Sequence, residues 1–157
     1  MVPEELKVFI LALLPVLETR ASIPYGVLVA KLSAPEVLAI SIIGNILPVP
    51  LLLWGLSTLE RWALERDGQL RRIIASTYEN LILKIRKRGE RYIKRYALVG
   101  LTLFVAFPIP GSGVWTGSLL AHALGLEPKR AFIAIVVGAL VAMLMVFMGT
   151  LGVINLT

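Results

Sequence analysis

The sequence predicts an all-α integral membrane protein: an inverted repeat of two units, each a re-entrant helical hairpin followed by one transmembrane helix, joined by a basic amphipathic cytoplasmic helix. Three observations point there. Val37 to Leu59 is a run of 23 residues without a charge and Ala131 to Thr157 a run of 27, each longer than the roughly 20 residues a helix needs to cross a bilayer. Each run follows a pair of apolar stretches too short to cross. The net charge of +6 comes from one region, since residues 60 to 95 hold eleven of the sixteen Lys and Arg but only five of the ten Asp and Glu. Composition agrees: at 57% hydrophobic residues, 17% charged residues and mean hydropathy +0.83, one soluble core cannot hide the apolar side chains, and the excess must face lipid.

The first repeat is expected over residues 1–59. Leu6 to Leu17 is apolar apart from Lys7, Glu18-Thr19-Arg20 interrupts, and Ile23 to Leu32 resumes with Lys31 as its only charge. A helix rises 1.5 Å per residue, so neither piece covers a hydrocarbon core of about 30 Å, and a hairpin over residues 6–32 that enters and leaves on one side fits better. A transmembrane helix follows over 37–59, with Asn45 and Pro48-Val49-Pro50 inside it; the prolines predict a kink and a freed carbonyl. Met1 to Lys7 lacks a basic leader and a small-residue cleavage site, so the start does not read as a signal peptide.

Residues 60–96 form the expected cytoplasmic segment. Leu70, Ile73, Ile74, Tyr78, Leu81, Ile82 and Ile85 recur at helical spacing, with basic residues on the other faces, which predicts an amphipathic helix on the membrane surface. The positive-inside rule puts this segment in the cytoplasm, and hence both termini outside, in a multi-pass protein of the cell membrane. The second repeat, 97–157, begins with a hairpin over 97–126 in which Phe107-Pro108-Ile109-Pro110-Gly111-Ser112-Gly113 must turn, and ends in a transmembrane helix over 131–154. At a constant offset of 93 residues Pro15 matches Pro108, Ala30 matches Ala123, Pro35 matches Pro128 and Ile40 matches Ile133. Each unit crosses once, so the second must be inverted and the two hairpin turns meet near the midplane, the plan of secondary transporters.

Chemistry is expected at those turns. Glu18 and Arg20 would each cost roughly 2.5 to 3.5 kcal/mol at the centre of a membrane helix; a mutual ion pair is the structural alternative to a role in transport. Glu18 is the candidate proton carrier and Arg20 the candidate clamp for a phosphate or carboxylate. Pro110, Gly111, Ser112 and Gly113 precede a helix expected from Val114, whose free N–H groups would suit an anion, although the same residues serve a plain bend. Trp115, Thr116, Asn45 and His122 complete the candidate substrate- or ion-binding set, with packing or a structural hydrogen bond as the alternative for each. Pro-Gly-Ser-Gly-Val is not a nucleophile elbow, no nucleophile and base pair is visible, and enzymatic activity is not expected. With no Cys and one His, neither a disulfide nor a metal centre is expected, and no cofactor.

Glu18-Thr-Arg-Ala-Ser-Ile-Pro24 followed by Phe107-Pro-Ile-Pro-Gly-Ser-Gly-Val-Trp-Thr-Gly117 resembles the small multi-drug export family of membrane proteins, over almost the whole chain. That family is linked to the DedA superfamily, whose paired re-entrant hairpins carry embedded acidic and arginine residues and whose members are implicated in moving lipids such as undecaprenyl phosphate. The resemblance implies that Glu18, Arg20 and the Pro110 to Gly113 turn are the functional positions. Unlike the DedA pattern, this chain has Pro-Gly-Ser-Gly and no arginine at the second turn. The expected function is a secondary transporter or lipid translocator, coupled to protons or another ion, that moves an anionic or amphiphilic substrate by alternating access. The alternatives are a drug-proton antiporter and a membrane scaffold that moves nothing. Expected partners are membrane lipids, a small-molecule or lipid substrate, the coupling ion and, through Gly138 with Ala142 and Gly149 with Gly152, a second copy of the chain. Nucleic acid is not among them.

Overall fold

The computed structural model describes residues 2–65 and 92–154, and every regular element among them is helical. Two of its stretches, Ala34–Leu56 and Pro128–Ile154, are long and apolar enough to cross a membrane. The amphipathic helix expected around Leu70 to Ile85 lies outside the described residues.

Helix α1 runs from Glu4 to Leu13 with Glu4 and Glu5 in its first turn, where acidic side chains suit the positive helix end. Pro15 ends it: Leu14, the residue before a proline, is extended at φ −69° and ψ 135°. Pro15 to Leu17 then turn the chain, and α2 occupies Glu18–Pro24 with a π-helical continuation over Tyr25–Val29. Glu18 and Arg20, expected at the turn itself, instead open the returning helix. Pro24 has no N–H to give to the Arg20 carbonyl four residues back, and the wider π turn follows at once. Lys31, in the left-handed region at φ 53°, ends this arm, with the Leu32 N–H bonded to the Gly26 carbonyl at 3.0 Å.

Helix α3, Ala34–Ile46, starts with Pro35 in its first turn, and α4, Pro48–Glu65, continues it. Pro48 and Pro50 remove two ladder donors, but Leu47 between the helices keeps helical dihedrals, so the apolar stretch remains one candidate span. In the second half α5 is Tyr92–Ala106, α6 is Val114–Ala123 and α7 is Pro128–Ile154.

The packing follows the same plan in both halves. α1 and α2 lie against α3, and α5 and α6 lie against α7; across the halves α2 packs on α7 and α6 on α4. One cluster joins Val8, Ile23 and Val37 to Met143 of α7. The other joins Leu101, Val105, Val114 and Ile135 to Val49 and Leu53 of α4. Each half thus borrows core residues from the other. A methyl on Gly44 would lie 2.9 Å from the Phe9 carbonyl and from Ala12 Cβ, and one on Gly138 would lie 2.6 Å from the Thr102 carbonyl and 2.9 Å from Val105 Cβ. Phe9 and Ala12 correspond to Thr102 and Val105 at the 93-residue offset, so the close approach of short to long helix recurs in both halves. Gly149 and Gly152, by contrast, face nothing within 4 Å among the described residues. Leu51, Val99, Ile133 and Met148 are all well exposed, an apolar surface of the kind that lipid covers.

Candidate functional site

Where the two halves meet, two irregular turns interlock. On the first, Val16 at φ 77° and Glu18 at φ 47° both adopt the left-handed region, which costs a non-glycine residue on the order of 1–3 kcal/mol and persists only when surroundings enforce it. The result is that the Glu18 carboxylate leaves its own helix start and enters the opposite half. It accepts hydrogen bonds from the backbone N–H groups of Val114 and Trp115, the first two residues of α6. Glu18 is buried, with 4% of its surface exposed.

Three contacts between the halves hold this junction, and bonds within the second turn brace it. The first is the seating of Glu18 on the positive end of α6, where a carboxylate both satisfies free amides and opposes the helix dipole. Gly113 makes room for it, since a Cβ there would coincide with the carboxylate. Arg20 supplies the second contact: its Nη2 donates to the Ser112 carbonyl and, at 3.3 Å, to Ser112 Oγ. Arg20 Nε is buried without a hydrogen-bond partner among the described residues. Ser112, itself buried, has one hydroxyl hydrogen to share between the Phe107 carbonyl and the Ile109 carbonyl, the latter at 2.9 Å, which folds the turn on itself. In the reverse direction, Trp115 Nε1 donates to the carbonyl of Leu13, the last residue of α1, at 3.1 Å. The Gly113 N–H is taken by Thr116 Oγ1 at 3.0 Å.

The structure therefore brings together Glu18, Arg20, Ser112, Gly113 and Trp115, and with them Thr116, which caps the start of α6. The α6 amides expected to lie open to an anion are occupied by a carboxylate of the chain itself. Pro110 and Gly111 are exposed, and Gly111 bears a φ of 88° that glycine adopts at little cost. His122 stands apart, in the last turn of α6 and about 12 Å along the axis from Val114 at 1.5 Å per residue. Asn45 is buried on α3 at 3% exposure, and its Oδ1 has no hydrogen-bond partner among the described residues. One participant went unnoticed in the sequence: Leu13 contributes only a backbone carbonyl, which leaves no trace in residue type.

Helical throughout its described elements, with two stretches long and apolar enough to cross a membrane, the chain has the make-up of a membrane protein. More narrowly, the chain belongs to the family described as "Putative small multi-drug export protein", whose model matches residues 18–145. The matched segment opens on Glu18, at the start of α2, and includes the Pro108 to Gly113 turn. No curated protein and no solved structure matches the chain.

Proposed function

We propose that the chain is a membrane transporter in which the Glu18 contact with α6 is a proton-sensitive gate between two inverted, re-entrant hairpins. One observation carries it: a buried carboxylate from one half fills the helix N-terminus of the other. Ionised Glu18 closes the junction, because a carboxylate is held by amides and a positive helix end. Protonation removes that attraction and frees the Val114 and Trp115 amides beside the Arg20 guanidinium. An anionic group, such as the phosphate of a lipid or amphiphile, then takes the place Glu18 vacates, and Glu18 re-ionises to expel it. The reciprocal packing of the halves and the recurrence of Gly44 and Gly138 support an inverted repeat whose two packings alternate. The family's description favours drug export as the second reading, with protonated Glu18 exchanging against a cationic amphiphile.

Purified protein in liposomes tests both. Wild type should move a fluorescent phospholipid faster as pH falls, and Glu18→Gln should lose the pH response and at least tenfold in flux. If a lipophilic cation moves and the phospholipid does not, the drug reading replaces the lipid one; flux of neither defeats the gate. Ser33 and Glu127 are exposed at the bases of the two hairpins. In this cysteine-free chain, Ser33→Cys should react with an impermeant thiol reagent from outside and Glu127→Cys from the cytoplasm. Labelling of both from one side overturns the inverted arrangement.

A further inference from the structure

The acceptor on Asn45 has an owner in the register of the first half. α2 and α3 run antiparallel through a short link, and two contacts fix their alignment. A Cβ on Gly26 would lie 2.7 Å from Val37 Cγ2, and Ser22 Oγ donates to Ser41 Oγ at 2.8 Å. Four residues back along α2 is matched by four residues forward along α3. One further step, of one helical turn on each helix, pairs Glu18 with Asn45. Ser22 and Ser41 are both fully buried, so the seam between α2 and α3 is closed at that level.

An asparagine carbonyl buried without a donor costs on the order of 1–3 kcal/mol. An ionised Glu18 cannot relieve it, because a carboxylate only accepts. A protonated Glu18 can, because it gains one O–H donor. We propose that Asn45 is the positioning residue for the proton on Glu18: the neutral acid donates its O–H to Asn45 Oδ1, while the ionised form sits on the α6 amides. The side chain thus has two seats, one for each protonation state, on opposite sides of the α2 helix start. This rests on the gate described above and adds the partner that holds its open form. Among the described residues the other charged or titratable groups on the surrounding helices lie at their far ends: Glu4, Glu5 and Lys7 on α1, Tyr25 on the α2 continuation, Glu36 on α3, His122 on α6, and Lys129 and Arg130 on α7. Arg20, two residues on, is the one charge close by, and it is engaged with Ser112.

Nuclear magnetic resonance of protein labelled with ¹³C-asparagine and ¹³C-glutamate, in lipid bilayers, reads both seats. The chain has three asparagines, Asn45, Asn80 and Asn155, so the Asn45 side-chain carbonyl is assignable by its loss in Asn45→Thr. Its shift should move with pH at the same midpoint as the Glu18 carboxyl and become pH-independent in Glu18→Gln. In Asn45→Leu, which keeps the shape and removes the acceptor, the Glu18 midpoint should fall by on the order of one pH unit. Asn45→Thr, which restores an oxygen, should recover most of that. The wild-type titration needs no variant to fold. A Glu18 that titrates while the Asn45 signal stays fixed overturns this pairing and leaves the gate standing; a Glu18 that never titrates between roughly pH 4 and 10 overturns both.

Discussion

The two hairpins solve one problem with opposite materials. The start of α2, just after the first turn, carries charge, Glu18 and Arg20, with Glu18 and the turn residue Val16 forced into the left-handed region. The turn between α5 and α6 carries no charge; it offers backbone groups exposed by Pro108, Pro110, Gly111 and Gly113, namely free amides at one end and the Ser112 carbonyl at the other. Anion meets N–H and cation meets C=O. Neither set of groups is satisfied alone, which explains why Glu18, Ser112 and Gly113 can be buried together: a buried charge and buried unpaired amides are each costly, and together they offset each other.

Substitutions that remove one side of this complementarity should be worse than those that remove an accessory bond. Gly113→Ala is expected to have the largest effect, because its methyl coincides with the Glu18 carboxylate. A loss on the order of 3 kcal/mol, read as thermal unfolding in detergent, should accompany loss of flux. Gly111→Ala is its control: nothing lies within 4 Å of the added Cβ, so only the φ of 88° is penalised, at about 1 kcal/mol. Equal losses in the two variants would mean that the seating of Glu18 does not hold the turns together.

Arg20→Ala comes next, at about 2 kcal/mol for charge-assisted bonds to a carbonyl and a hydroxyl. Arg20→Lys should recover part of the stability, since one donor still reaches Ser112, but should not restore flux if the planar guanidinium receives an anion. Full recovery of both by lysine would reduce Arg20 to a structural tie. Trp115→Phe is expected to be the mildest, about 1 kcal/mol for the single bond to Leu13. Its ring packing is retained, so flux should survive with a faster gate; a large loss would move Trp115 from the frame of the site to its working surface.

Much of the architecture was legible because membrane insertion writes itself in composition. Two charge-free runs and apolar pieces too short to cross follow from the cost of charge in lipid, and they appear in the structure as the apolar stretches Ala34–Leu56 and Pro128–Ile154, long enough to cross, with paired short helices beside them. The likeness of Pro15 to Pro108 pointed to a repeat, while the first turn was expected at Glu18 to Arg20. The chain turns earlier, at Pro15 to Leu17: charge was taken as the interruption, whereas Pro15 forces Leu14 out of the helix and ends it. At Pro48, where a kink was expected, the helix divides into α3 and α4 around Leu47, which keeps helical dihedrals; a proline in the first turn of a helix loses a donor the helix start does not need.

The sequence by itself pointed to a membrane chain, to two apolar runs long enough to cross, and to Glu18, Arg20 and the Pro108 to Gly113 turn as its unusual residues. Each of those is a matter of which side chains occur and how they are spaced. Only the tertiary structure decided that the anion seat is filled from within, that Trp115 ties back to Leu13, and that Ser22 of α2 meets Ser41 of α3. Those facts depend on backbone amides and carbonyls, which every residue carries, and on the register between helices, which no local pattern encodes.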